Sequence, residues 1–73
     1  MESSELAEAR QKIVSALTEA RLASGVSQGE LAGRIGTKKP NISRIESGVC
    51  SPTISTLQQL ASGMGKKLKI EFV

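Results

Sequence analysis

Residues 28–47, QGELAGRIGTKKPNISRIES, hold two short amphipathic helical patterns hinged on one glycine, which leaves the chain few ways to fold. Ser27 and Glu30 have the S-x-x-E spacing of a capping box, in which two orphan backbone donors are satisfied, so a helix is predicted to start near Gln28. Leu31, Ala32 and Ile35 then fall on one face at helical spacing. Gly36 supplies the positive φ that a sharp reversal needs, so this helix stops after about two turns. A second helix is predicted from Lys38 or Lys39, with Pro40 in its first turn, where a missing N–H has no intrahelical partner anyway. Ile42 and Ile45 point inward, Glu46 is the one acid, placed at the end, and Gly48 closes the helix.

What faces outward has a chemical meaning. Lys39, Pro40, Asn41, Ser43 and Arg44 lie on or near the outer surface of the second helix and carry donors and acceptors with which a major groove can be read. Lys38 and Ser47 flank that helix and are better placed for phosphates than for bases. This is the layout of a DNA-reading helix-turn-helix, set against the plainer alternative of a solvated helix face.

The rest of the chain supplies a frame. Leu6, Ala9, Ile13, Ala16 or Leu17, and Ala20 step by three and four and predict an amphipathic first helix from about Ser4 to Ser24, ended by Gly25. Residues 48–51 read as a turn and Thr53 as an N-cap. Ile54, Leu57, Leu60, Ala61 and Met64 form the inner stripe of a fourth helix, broken by Gly63 and Gly65. Residues 67–73 change period: Leu68, Ile70 and Phe72 alternate with Lys67, Lys69 and Glu71, which predicts a β-strand. Nothing else reads as a strand. Its partner is therefore expected to be the same segment of another copy, paired about a two-fold axis, the plainer alternative being a tail that folds back or frays. The expected fold is mainly α, four to five helices over about residues 4–65 in one domain spanning 1–73, with a dimerisation strand over about 67–73.

Seventy-three residues bury a modest core and call for some further source of stability. Cys50 is the only cysteine, so no disulfide forms within the chain, and it reads as an incidental thiol. Without histidine or clustered ligands no metal or other cofactor is expected, which leaves a homodimer. The Met1–Glu2 start has neither a basic n-region nor an apolar h-region, and no apolar run is long enough for a bilayer, so a soluble, cytoplasmic protein without a membrane partner is expected. Ten basic against seven acidic side chains give +3, a mild bias towards polyanions. Glu2, Glu5 and Glu8 gather at the amino end, and Arg34, Lys38, Lys39 and Arg44 gather around the proposed reading helix. Catalysis finds no nucleophile–base pair. Gly63-Met64-Gly65-Lys66 lacks the spacing and flanking strand of a phosphate loop. Phe72, the one aromatic residue, offers no stacking platform for single-stranded RNA.

Gln28, Leu31, Ala32, Gly36, Ile42, Ser43, Ile45, Glu46 and Gly48, continued by Pro52, Leu57, Leu60, Ala61 and Gly65 and back to Arg21, resemble the lambda-repressor-like, or Xre-type, helix-turn-helix family. Pro40, where the family often has a polar base-contacting residue, and Gly33, in place of a better helix former, depart from its pattern. The resemblance implies a transcriptional repressor acting as a homodimer on palindromic double-stranded DNA. It further implies that Gln28 caps the first motif helix and bonds a phosphate, and that Arg21 and Glu46 form a partly buried salt bridge. Small Xre-type proteins ending in a strand like KKLKIEF also resemble antitoxins that neutralise RelE-like or HigB-like toxins and repress their own operon. On that alternative the acidic end of the first helix is the surface expected to meet a small basic toxin. A helix-turn-helix kept for protein contacts alone is a third reading.

Overall fold

The computed structural model describes residues 3–73; Met1 and Glu2, the latter counted above with the acidic amino end, lie outside them. Four helices follow in order: α1 (Ser4–Ala23), α2 (Gln28–Ile35), α3 (Lys39–Glu46) and α4 (Ile54–Gly63). Local chemistry sets their starts. Ser3 caps α1 by accepting from the Leu6 N–H, and Thr53 caps α4 by accepting from the Thr56 N–H. The capping box at α2 is complete: the Ser27 hydroxyl accepts from the Glu30 N–H at 3.0 Å while the Glu30 carboxylate accepts from the Ser27 N–H at 3.4 Å. α3 opens at Lys38 without a side-chain cap, and Pro40 stands in its first turn as expected.

Gly36 ends α2 in the left-handed conformation (φ 73°, ψ 31°), which lets the Thr37 N–H reach back to the Ala32 carbonyl at 2.9 Å. Only Gly36, Thr37 and Lys38 then separate α2 from α3, so the two helices must pack on each other. α4 covers the other side of α2, and α1 packs on α3. Leu17, Val26, Leu31, Ala32, Ile42 and Leu60 form the centre, with Ile35, Ile45 and Met64 around it. A Cβ placed on Gly63 would stand 2.8 Å from both Ile35 Cγ2 and Leu31 Cδ1, so the missing side chain lets the end of α4 close onto α2. Arg34 fastens the same junction by donating from Nη1 to the Gly63 carbonyl at 2.9 Å.

Three expectations require correction. The inner stripe assigned to α1 is largely wrong: Leu6 and Ile13 are 55% and 39% exposed, Ala9 and Ala16 are exposed, and the buried residues are Leu17, the stripe's alternative to Ala16, and Val14, which it omitted. The core-facing side continues to Arg21, a charged residue that an apolar tally discards although it shares helical spacing with Val14 and Leu17. Ile54, assigned to the inner stripe of α4, is 66% exposed because it opens that helix ahead of the turn that meets α2. The third correction concerns residues 67–73. Among the described residues there is no strand, and this tail makes no ladder within the chain. Leu68 is half-buried, whereas Ile70 is exposed and Phe72 fully so, and these three therefore do not together cover the helical core. Alternation reveals a two-faced extended segment; a ladder needs backbone partners that this chain does not provide.

Candidate nucleic-acid interface

The candidate interface lies on α3, whose inner side is fixed in two ways. Ile42 is buried in the core and Ile45 packs against it. One position on, Glu46 meets α1 and α2 at once. Arg21 donates to it through Nε (2.6 Å, to Oε2) and Nη2 (2.9 Å, to Oε1), a fork-on-fork pair, while Arg21 Nη1 donates to the Val26 carbonyl at 3.0 Å. Gln28 Nε2 adds a bond to Glu46 Oε1 at 3.1 Å. The Arg21 and Glu46 side chains retain 11% and 6% exposure, so they screen each other where water barely reaches. Burial by itself would raise the Glu46 carboxyl, but hydrogen bonds from Arg21, Gln28 and Thr18, with the charge of Arg21, outweigh it and hold the group below its usual range. The bond to Glu46 likewise raises the Arg21 guanidinium against the opposing effect of burial.

With that side locked, the opposite side is determined by helical geometry. Ile42, Ile45 and Glu46 take the inward sector, which turns Pro40, Arg44 and Ser47 outward and leaves Lys39 and Ser43 on one shoulder and Asn41 on the other. All six are exposed, as is Lys38 at the helix entry. The sequence-derived set therefore falls on one continuous surface. Two of its members are engaged locally: Asn41 Nδ2 donates to Thr37 Oγ1 at 2.8 Å, and the Ser47 hydroxyl donates to the Arg44 carbonyl at 3.0 Å. Gln28, half-buried, lies beside the C-terminal end of α3 with one amide N–H committed to Glu46. A shallow groove beside Asn41 and Arg44 is walled by Pro52, Thr53 and Thr56 of the following turn and α4.

Sequence reasoning missed the contacts that orient these groups. Thr37, Thr18 and the Val26 carbonyl carried no signal as single residues. Spacing did place Thr37 four residues before Asn41, the separation at which helical side chains meet, and that could have suggested the Asn41 bond.

The sequence profile of the helix-turn-helix family matches residues 17–70, from the core-facing half of α1 to the tail. The chain belongs to the Xre-like helix-turn-helix family. Over 61 residues it is 38% identical to an uncharacterized HTH-type transcriptional regulator of Haemophilus influenzae, a match covering 84% of this chain and 62% of that protein. Over 64 residues it is 35% identical to antitoxin HigA1 of Mycobacterium tuberculosis, covering 88% of this chain and 43% of that protein. This helix-turn-helix chain thus spans between about two fifths and three fifths of the curated relatives it matches. No solved structure matches it. Among its described residues no helix is long and apolar enough to cross a membrane.

Proposed function

We propose that this chain reads double-stranded DNA in the major groove through α3 and acts in the cytoplasm as a homodimeric transcriptional repressor on a palindromic operator. The observation that carries the reading is the two-sided character of α3, with an inner side clamped to α1 and α2 and an outer side presenting only polar, basic and small groups. Lys39, Pro40, Asn41, Ser43 and Arg44 are assigned to bases: Arg44 carries the paired donors that match the two acceptors of a guanine edge, and Asn41 the donor and acceptor that match an adenine edge. Lys38, Ser47 and Gln28 are assigned to phosphates, Gln28 through the amide N–H that Glu46 leaves available. The protein acts by binding rather than by catalysis. Two copies on a palindrome would place their reading helices about one turn of DNA apart, roughly 34 Å.

Footprinting on the upstream region of its own gene, followed by affinity measurements, tests this. Replacing both Lys39 and Arg44 with Ala should weaken operator binding by about 1 to 3 kcal/mol for each base-reading side chain removed. Lys38→Ala should weaken all duplexes alike and lower the salt dependence by about one unit. Operator affinity unchanged in the double variant would remove α3 as the reader.

A second reading is favoured by the likeness to proteins named HigA1. In it the chain is also an antitoxin, holding a RelE-like or HigB-like toxin while repressing the shared operon. Co-expression with the product of the adjacent gene separates the two: a stable complex with a small basic protein supports the antitoxin, and its absence leaves the repressor.

A further inference from the structure

α1 carries an apolar seam that the fold leaves uncovered. Leu6, Ile13 and Ala20 repeat every seven residues, and Ala9, Ala16 and Ala23 repeat with them three residues on, the a and d positions of three successive heptads. Five of the six are exposed and Ala20 is half-exposed. Next to this seam on one side lie Leu17, buried in the chain's own core, and Arg10, which donates to Ser51 Oγ at 3.3 Å. On the other side stand Glu5, Lys12 and Glu19, all exposed.

We propose that this seam is the contact with a second copy of the chain, the two α1 helices packing antiparallel over their whole length. Size complementarity sets the direction. A parallel pair in register would stack Leu6 on Leu6 and Ile13 on Ile13 while leaving gaps where alanines face each other. An antiparallel pair sets Leu6 against Ala23 of the other copy, Ile13 against its Ala16 and Ala9 against its Ala20, so every large residue meets a small one and the helices approach closely. Charge agrees with that same register. It brings Lys12 of each copy beside Glu19 of the other, giving two opposite-charge pairs at the open edge, whereas a shift by one heptad along the seam forfeits a third of the apolar layers. The helix is about 30 Å long at 1.5 Å per residue, so the six layers use all of it. This names the surface for the two-fold contact of the proposed function and rests on that reading for the dimer alone, not for DNA recognition.

Sedimentation of the full chain and its variants at micromolar concentration tests the seam, with circular dichroism confirming that each variant keeps its helices. The unmodified chain should sediment as a dimer and Ile13→Glu as a monomer. Lys12→Glu, which sets like charges together twice, should weaken the dimer by about tenfold, and adding Glu19→Lys should restore it. A chain that is monomeric alone overturns the seam, including one that becomes oligomeric only with a basic partner protein. So does a dimer that survives Ile13→Glu and ignores the charge exchange. If that surviving dimer disappears on deleting residues 67–73, the homodimeric reading stands and only the α1 contact falls. Footprinting by the monomeric variants reports on DNA recognition independently of either result.

Discussion

The two halves of α1 share one unbroken helix and both carry apolar residues, yet they live in different surroundings. From Val14 to Arg21 the helix is held by the core on one side of each turn and by the Glu46 fork at its end. Among the described residues before Val14 no side chain is buried: the helix there is held chiefly by its own hydrogen bonds, the Ser3 cap and the long reach of Arg10 to Ser51. An isolated helix that short is marginal in water, so what keeps the first half helical is continuity with the second. Apolar content therefore does not decide where a helix is anchored. Contact with the core at Val14 and Leu17, together with the nearly buried Arg21–Glu46 pair, does.

The sharpest way to break this comparison is to remove apolar atoms from each half in turn. Leu17→Ala should destabilise the fold by about 3 kcal/mol, as expected for a leucine truncated inside a packed core. The same change at Leu6 should cost the monomer less than about 0.5 kcal/mol, measured by denaturant unfolding at a concentration low enough to exclude association. Equal losses would mean that the halves are anchored alike.

Next in size is the fork itself. Glu46→Ala should cost about 2 kcal/mol, because it strands a nearly buried guanidinium, and a double-mutant cycle with Arg21→Ala should recover a large part of that as coupling. Independent, additive losses would show that the pair does not set how α1 docks. The pH dependence follows with a definite sign. The Glu46 pKa is lower in the folded state than in the unfolded chain, so its stabilisation is fully present above the ordinary carboxylate value and is lost as pH falls through the lowered folded value. Arg21 is shifted upward, so its contribution persists throughout the neutral range and would be lost only in strong alkali. Acid unfolding of the wild-type chain should therefore steepen on the acid side, and Glu46→Gln should flatten that limb.

The smallest effects are expected where the chain is barest. Phe72→Ser and Ile54→Ser should each change the stability of the monomer by less than about 0.5 kcal/mol, since their side chains lie mostly in solvent. Thermal melts resolve this; a destabilisation above about 1 kcal/mol at Phe72 would place the tail against the helices.

How much of this was legible in the sequence depended on whether a residue acts through its neighbours in the chain or across space. The capping box at Ser27 and Glu30, the turn at Gly36 and the proline at the start of α3 are local devices, and their positions were readable. Helical spacing likewise put Ile42 inward and Arg44 outward. The face of α1 was misjudged because it was read from apolar spacing alone, although the family resemblance already paired Arg21 with Glu46, twenty-five positions away, and so placed that charged residue on the inner side. Gly63 read as a breaker, but it ends α4 where a side chain would collide with Leu31 and Ile35, a fact no periodicity contains. In the tail the alternation of Leu68, Ile70 and Phe72 was plain, but a strand is a relation between two segments and only one was in hand.

The bond from Gln28 to Glu46 has a consequence for how an operator would be chosen. It joins the first residue of α2 to the last of α3, while at the opposite end the three-residue turn capped by Gly36 and Thr37, with the Asn41 side chain donating to the Thr37 hydroxyl, holds the same pair together. A reader pinned at both ends cannot reshape itself to a duplex of different width, so any misfit must be taken up by bending or twisting the duplex. Discrimination should then extend to base pairs that no side chain touches, favouring steps that deform easily where the groove has to give and stiff ones where it already fits.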